Sequence, residues 1–144
     1  MLSKNIKETA GIARIFLNKI LKGKIKTRAT VVGLSGNLGA GKTAFTKAVA
    51  KSLGIRQKVN SPTFVIIKKY SLKSKLHKFF FHIDVYRLKN EKELLHLGWN
   101  EIIGNKEHLV FIEWPERVRR AMPPHARMIS IIVGKKGFRN IRLK

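Results

Sequence analysis

Residues 36–43, GNLGAGKT, combine three glycines with a lysine and a threonine at a spacing that suits phosphate binding. Gly36, Gly41, Lys42 and Thr43 match the P-loop pattern G-x-x-x-x-G-K-[ST]. Glycines let backbone N–H groups approach phosphate oxygens closely, and a helix after the loop adds the positive end of its dipole. In this pattern the lysine bridges the outer phosphates and the hydroxyl binds Mg²⁺. The spacing therefore predicts nucleotide binding.

Acidic side chains that could complete a magnesium site are few. The chain has 8 Asp and Glu residues, and Mg²⁺ beside a P-loop needs a carboxylate, usually at the carboxyl end of a neighbouring strand. Asp84 ends the apolar run FFFHID and Glu113 ends LVFIE, whereas Glu116 follows Pro115 and is a weaker candidate. A carboxylate after a buried strand could also be a solvated strand end. Beside a P-loop, we favour the metal interpretation for both Asp84 and Glu113.

Other polar residues are less informative. Thr63, in NSPTF, lies in a turn-forming context, where its hydroxyl either senses a γ-phosphate or caps the turn. The histidines show no metal-ligand spacing, so we expect them to be structural or surface residues. They are His77, His82, His96, His108 and His125.

The charge is strongly positive, with 31 Lys and Arg residues and a formal net charge of +23. Such a field attracts polyanions, although lysines scattered along a chain can also simply solvate its surface. Cysteine is absent, which excludes disulfides and thiolate metal sites. There is no apolar run of about 18–20 residues that could span a bilayer, and the polar start MLSKNIKETAG has no signal-peptide core. We expect a soluble, cytoplasmic protein that does not associate with membranes.

Apolar spacing predicts helices at residues 4–21, with Ser3 as N-cap, and at 42–53. Asn90 and Glu93 resemble a capping box for a short helix that ends near Gly98. A further short, basic helix is expected between Pro115 and Pro123. The 144 residues fit one domain spanning 1–144.

Runs of β-forming residues predict strands between these helices. The predicted strands are 29–35, 63–70, 77–86, 108–113, 127–133 and 138–144. The polar SLKSK and the turn GKKG each join two of them into a hairpin. Helices separate the early strands and hairpins join the later ones, which predicts an α/β fold with a mixed sheet.

Five motifs occur in an order that resembles one known family. They are GNLGAGKT, VNSPTF, HIDVYRL, ELLHLGWNEII and FIEWPERV. Together they resemble the TsaE family, the small P-loop ATPases of bacterial tRNA threonylcarbamoyladenosine synthesis, from about Glu8 to Arg139. The resemblance implies a P-loop NTPase-like, three-layer α/β fold with a mixed, partly antiparallel sheet.

The resemblance also implies a cofactor and partners. It implies ATP or ADP with Mg²⁺, and a weak ATPase that becomes active with the TsaD–TsaB heterodimer. TsaD transfers threonylcarbamoyl to an adenosine beside the tRNA anticodon, and the TsaE protein is needed for repeated cycles. The unusual basicity of this chain adds tRNA as a partner, contacted directly or through the complex.

Site roles carried over by motif centre on the loop. Its phosphate-binding residues are Gly36, Asn37, Leu38, Gly39, Ala40, Gly41, Lys42 and Thr43. Thr43 and Glu113 would hold Mg²⁺, and Lys42, Asp84 and Glu113 would be catalytic. Asp84 would position or activate the attacking water, or support the metal.

More distant residues complete the implied nucleotide site. Trp114 would lie beside the nucleotide, Thr9 on its adenine side, and Arg139 near it. Thr63 would belong to a switch-like segment. Asn37 stands where the family commonly has Asp, which removes one negative charge beside the phosphates.

Three other functions use the same loop. A small-molecule kinase is disfavoured because the chain is short and shows no arginine-rich lid. A regulatory GTPase is disfavoured because residues 105–108, NKEH, lack the aspartate of the guanine-reading N-K-x-D. A basic nucleic-acid-binding module with a vestigial P-loop would show RNA binding that does not depend on Lys42.

Overall fold

The computed structural model describes residues 1–23, 26–59 and 66–144. The described strands are β1 (Leu2–Ser3), β2 (Thr30–Ser35), β3 (Ile67–Ser71), β4 (Phe79–Asp84), β5 (His108–Glu113), β6 (Arg127–Val133) and β7 (Arg139–Leu143). The described α-helices are α1 (Ile6–Leu21), α2 (Lys42–Ser52), α3 (Glu91–His96) and α4 (Trp99–Gly104). Two 3-10 helices follow β5 and β6, at Pro115–Ala121 and Lys135–Gly137.

The strands form a seven-stranded sheet in the order β1-β7-β6-β2-β5-β4-β3. β2 is parallel to β5 and β6, and β4 is parallel to β5. β3, β7 and β1 pair antiparallel to their neighbours. The predicted mixed, partly antiparallel sheet is therefore confirmed, and the carboxyl ends of β2, β4 and β5 lie at one edge.

Helices cover both faces of this sheet because neighbouring residues of its strands point to opposite sides. Val32 and Leu34 of β2 pack in one apolar cluster with α1 and α2, whereas Val31 packs in a second cluster with residues of α3 and α4. Gly33, which stands between Val32 and Leu34 in the sequence, leaves room for Met128. The Met128 sulfur lies 2.7 Å from the position that a Cβ on Gly33 would take. The result is the predicted three-layer arrangement.

Some predicted element ends were wrong. α1 begins at Ile6, and its N-cap is Asn5, whose side chain accepts the Glu8 N–H at 2.9 Å. Ser3 instead lies in β1, and its hydroxyl contacts the Thr9 hydroxyl at 2.7 Å. The predicted strand 63–70 is described only from residue 66 onward, and β3 begins at Ile67.

The region after β4 contains two short helices where one was predicted. Asn90 is the predicted N-cap of α3 and accepts the Glu93 N–H at 3.3 Å. Gly98 then takes a left-handed φ of 85° and starts α4. The basic segment after Pro115 is helical as predicted, but of the 3-10 type. In the described part of the chain, every helix is too short or too polar to cross a membrane.

Candidate functional site

The glycine loop joins the end of β2 to the start of α2. Gly36, Gly39 and Gly41 have positive φ angles of 153°, 76° and 103°. At Gly36 a Cβ would also stand 2.5 Å from the Ile131 carbonyl oxygen, so a side chain there requires the backbone to move. At these three glycines the loop therefore exposes backbone rather than side chains, directly before the N-terminus of α2.

Lys42 is folded back into this loop. Its Nζ donates to the carbonyl oxygens of Gly36 at 2.7 Å and Asn37 at 3.0 Å, and lies 3.8 Å from the centre of the Trp114 ring. Burial lowers the pKa of Lys42, while the charges of Glu113, Glu116 and Asp84 oppose that shift. The ammonium is thus held inside the site by neutral partners that phosphate oxygens could replace.

The two predicted carboxylates are brought together by the pairing of β4 with β5. Asp84 is the register partner of Glu113, so both lie at the same edge of the sheet as the loop. Glu113 is 2% exposed, and the Thr43 hydroxyl lies 3.1 Å from each of its carboxylate oxygens. The predicted magnesium pair, Thr43 and Glu113, is therefore in direct contact.

Asp84 is 7% exposed and accepts the Tyr86 backbone N–H at 2.9 Å. Burial raises the pKa of Asp84, and the neighbouring charge of Glu113 raises it further. The Tyr86 hydrogen bond, His82 and Lys42 oppose the rise. A charged Asp84 is therefore destabilising in the free protein.

The loop and both carboxylates line one cavity of about 300 Å³, near the lower end of the range for ligand sites. The described residues contain no group of three or more His, Cys, Asp and Glu side chains that could hold a metal alone. A hydroxyl and one or two carboxylates are hard oxygen ligands that suit Mg²⁺, which takes its remaining ligands from phosphate and water. The residues present fit a nucleotide with Mg²⁺.

His82 is a site residue that the sequence reasoning missed. Its side chain is fully buried, and Nε2 lies 2.7 Å from Glu113 Oε1. Nδ1 has no partner among the described residues. Because an ionised carboxylate oxygen only accepts, Nε2 carries the proton of this contact. The available signal was its position two residues before Asp84, on the same side of the strand.

Trp114 follows Glu113 in a left-handed conformation, with φ of 63°, which is uncommon for a residue other than glycine. Its backbone N–H donates to the Leu34 carbonyl at 3.1 Å. The centres of the Trp114 and Tyr86 rings lie 4.8 Å apart, and the Arg117 guanidinium lies 4.7 Å from the centre of the Tyr86 ring. The Trp114 ring is thereby fixed over Lys42.

The remaining predicted residues lie at different distances from the cavity. Arg139 Nε donates to the Ala40 carbonyl at 3.0 Å and so contacts the loop. Thr9 is buried, with its hydroxyl bonded to Ser3 and to the Asn5 carbonyl, and it does not line the cavity. Of the loop side chains, Asn37 and Leu38 are exposed. Thr63 lies outside the described residues.

The sheet order, the helices on both faces and the loop between β2 and α2 define a P-loop NTPase-like α/β protein. The family model described as "Threonylcarbamoyl adenosine biosynthesis protein TsaE" matches residues 3–141. The chain therefore belongs to the TsaE family, and the resemblance drawn from its motifs is confirmed.

Individual relatives agree with this assignment. A tRNA threonylcarbamoyladenosine biosynthesis protein TsaE from Treponema pallidum is 37% identical over 119 residues, covering 83% of this chain and 84% of the relative. One of the same name from Bacillus subtilis is 38% identical over 133 residues, covering 92% and 75%. The crystal structure of Bacillus subtilis YdiB is similar, with a TM-score of 0.75 and 30% identity over 98% of this chain and 80% of that one.

The contact between Lys42 and Trp114 gives an optical prediction. A Trp99→Phe variant keeps Trp114 as its one tryptophan, and its fluorescence should change when ADP and Mg²⁺ are added, because a bound phosphate would draw Lys42 away from the ring. The matched Trp114→Phe variant keeps Trp99, which is fully buried and donates to the Ala121 carbonyl. The emission of Trp99 in this variant should not change when ADP and Mg²⁺ are added. The reverse pattern in the two variants would contradict the placement of Trp114.

The buried charge of Asp84 gives a stability prediction. Asp84→Asn keeps an acceptor for the Tyr86 N–H but removes the buried charge, so the nucleotide-free variant should unfold at a higher temperature near pH 7. Because the pKa of Asp84 is raised, the advantage should shrink as the pH falls through that pKa and the wild-type carboxyl becomes neutral. Thermal unfolding, monitored by circular dichroism at several pH values, measures the difference in unfolding temperature between the variant and the wild type. An equal advantage at all pH values would point to another cause.

The contact between His82 and Glu113 predicts an effect on metal binding. His82→Leu removes the donor that orients the Glu113 carboxylate, and Mg²⁺ affinity in the ADP complex should fall by about 10-fold or more. His82→Gln retains an N–H donor and should recover part of that loss. Calorimetric titration of Mg²⁺ or Mn²⁺ measures both. Equal affinities for the Leu variant and the wild type would show that Glu113 needs no such support.

Proposed function

We propose that this chain is the ATP-binding, weakly hydrolysing subunit that threonylcarbamoyladenosine modification of tRNA requires, acting with a TsaD–TsaB heterodimer. The observation that carries the proposal is the contact at 3.1 Å between Thr43 and Glu113, at the end of a glycine loop that holds Lys42. Membership of the TsaE family supports the pathway.

The loop's role is to bind the phosphates of ATP or ADP. Its glycines leave the backbone N–H groups accessible, and the N-terminus of α2 adds a favourable dipole. Lys42 exchanges its bonds to the Gly36 and Asn37 carbonyls for bonds to phosphate oxygens. Arg139 supports the loop from behind through the Ala40 carbonyl.

The carboxylates would hold the metal and the attacking water. Thr43 and Glu113 are the proposed ligands of Mg²⁺, which when bound would neutralise charge on the phosphates. Asp84 lies beside Glu113 at the strand edge, where it can accept a hydrogen bond from the water or support the metal. Its raised pKa suits a base that takes up a proton more readily than an exposed aspartate does.

A low intrinsic rate is consistent with the free protein. Lys42 is engaged by two carbonyls and by the Trp114 ring, so part of the binding energy of a nucleotide must displace those contacts. A partner that orders the site around nucleotide would raise the rate. We propose TsaD–TsaB as that partner and tRNA as the eventual substrate, with the cytoplasm as the site of action.

The kinase, GTPase and vestigial-loop alternatives make different predictions. A kinase would transfer phosphate to a metabolite, and a GTPase would prefer guanine nucleotides. The guanine-reading N-K-x-D motif requires an aspartate, but Asp84 is the one aspartate of the chain and lies at the phosphate end of the site. We therefore expect preference for ATP and release of inorganic phosphate.

ATP hydrolysis with and without TsaD–TsaB tests the proposal. Hydrolysis should be slow for the chain alone and faster with both partners present. Glu113→Ala should lower the stimulated rate by at least about 10-fold. Loss of a side chain that only supports a metal ligand already costs about 10-fold or more, and loss of the ligand itself should cost no less. Glu101→Ala, at an exposed helix position, is the matched control and should leave the rate unchanged. Stimulated turnover that survives Glu113→Ala would refute the metal assignment.

A further inference from the structure

A second charged region lies at the edge of the sheet opposite the glycine loop. Two adjoining cavities, of about 430 and 320 Å³, are found near the start of β2 and of β5, and Lys26 lines both. Lys75, Lys78 and Lys106 also line the first, and Arg28 lines the second. We call the set Lys26, Arg28, Lys75 and Lys106 the basic edge.

Acidic residues are almost absent from this region. Among the described residues that line the two cavities, Glu107 is the one acid, and it pairs with Lys78 at 3.2 Å. The four residues of the basic edge make no side-chain hydrogen bond or ion pair within the described part of the chain. Within the residues that the structure describes, their charges are therefore not neutralised by an acidic partner.

Lys26 lies close to other basic groups. Burial lowers the pKa of Lys26, and the positive charge of Arg127 lowers it further. Burial also lowers the pKa of His77, and Lys26 adds to that shift. An isolated surface lysine shows no such effect, since solvent and counterions screen it. An anion placed between these groups would relieve their repulsion.

The basic edge is separate from the nucleotide site. The loop, Asp84 and Glu113 lie at the carboxyl ends of the parallel strands, whereas Thr30, which lines the first cavity, begins β2 at the other end. A ligand at the basic edge can therefore bind while the glycine loop holds nucleotide. Its cations come from three chain segments: the approach to β2, the turn before β4 and the turn before β5.

We propose that the basic edge binds the phosphodiester backbone of RNA. Four unpaired cations spread over two cavities suit a polymer with regularly repeated charges better than a single phosphate. Binding would release counterions condensed on the RNA, and the net charge of +23 would steer the encounter. The proposal rests on the tRNA pathway proposed above, and it adds the surface through which this chain contacts RNA directly.

Two variants of equal charge test the proposal. The basic-edge variant carries Lys26→Gln, Arg28→Gln, Lys75→Gln and Lys106→Gln. The control variant carries Lys7→Gln, Arg14→Gln, Lys92→Gln and Lys135→Gln, all exposed positions that line neither cavity. Each variant loses three lysines and one arginine, so a difference between them reports on position rather than on net charge.

Fluorescence anisotropy of a labelled, unmodified tRNA anticodon stem-loop, measured over a range of KCl concentrations, gives the affinity and its salt dependence. Wild-type affinity should fall steeply between low and physiological salt. The basic-edge variant should lower the slope of log K against log salt by about 3–4, roughly one for each phosphate contact, and the control by less than about 1. Equal losses in the two variants, or a flat salt response in the wild type, would overturn the proposal.

Two further measurements separate RNA binding at the basic edge from the ATPase proposal and from binding of an acidic protein. ADP binding, followed by the fluorescence of Trp114, should be unchanged in both variants, so a loss of RNA binding alone leaves the ATPase proposal intact. Competition with polyglutamate of matched charge should be weaker than competition with unlabelled RNA. Equal competition would overturn RNA as the ligand and indicate an acidic protein instead.

Discussion

The site depends on one buried carboxylate and the groups that hold it. Glu113 ends a central strand at 2% exposure, and the Thr43 hydroxyl and the His82 ring both bond to it. A buried charge is costly unless it is hydrogen-bonded, so these contacts are a condition for placing it there. They connect the start of α2 to β5 and β5 to β4, and the same contacts that satisfy the charge fix the geometry of the candidate magnesium site.

Other charged side chains lie beside Glu113 and at the opposite end of the sheet. Asp84 adds a second carboxylate beside the first, and Lys42 supplies a cation within the glycine loop. In the free protein the lysine is satisfied by carbonyls and by an aromatic ring rather than by a carboxylate. The lysines and the arginine of the basic edge lie at the other end of the parallel strands. Both ends of the sheet would thus bind phosphate groups, but the end with the glycine loop adds carboxylates that could hold a cation beside them.

The glycine loop and the mixed sheet could be predicted from the spacing and order of local patterns, whereas the pairing of Thr43 with Glu113, which are 70 residues apart, followed from the family resemblance. Gly36 and Gly41 stand at φ values that other residues rarely adopt, so the pattern itself reports the geometry. The role of His82 could not be found in this way, since its partner lies 31 residues away and meets it only through the pairing of two strands. The N-cap at Asn5 rather than Ser3 depends likewise on β1 joining the sheet.

The pairing of β4 with β5 also limits how the chain can change in length. Their register runs unbroken from Phe79 opposite His108 to Asp84 opposite Glu113. Deleting a single residue within either strand would turn one carboxylate to the opposite face, because side chains alternate along a strand. A change in the length of a connecting turn does not alter the face to which each residue of the two strands points. Insertions and deletions accumulated over evolution should therefore fall outside the two strands.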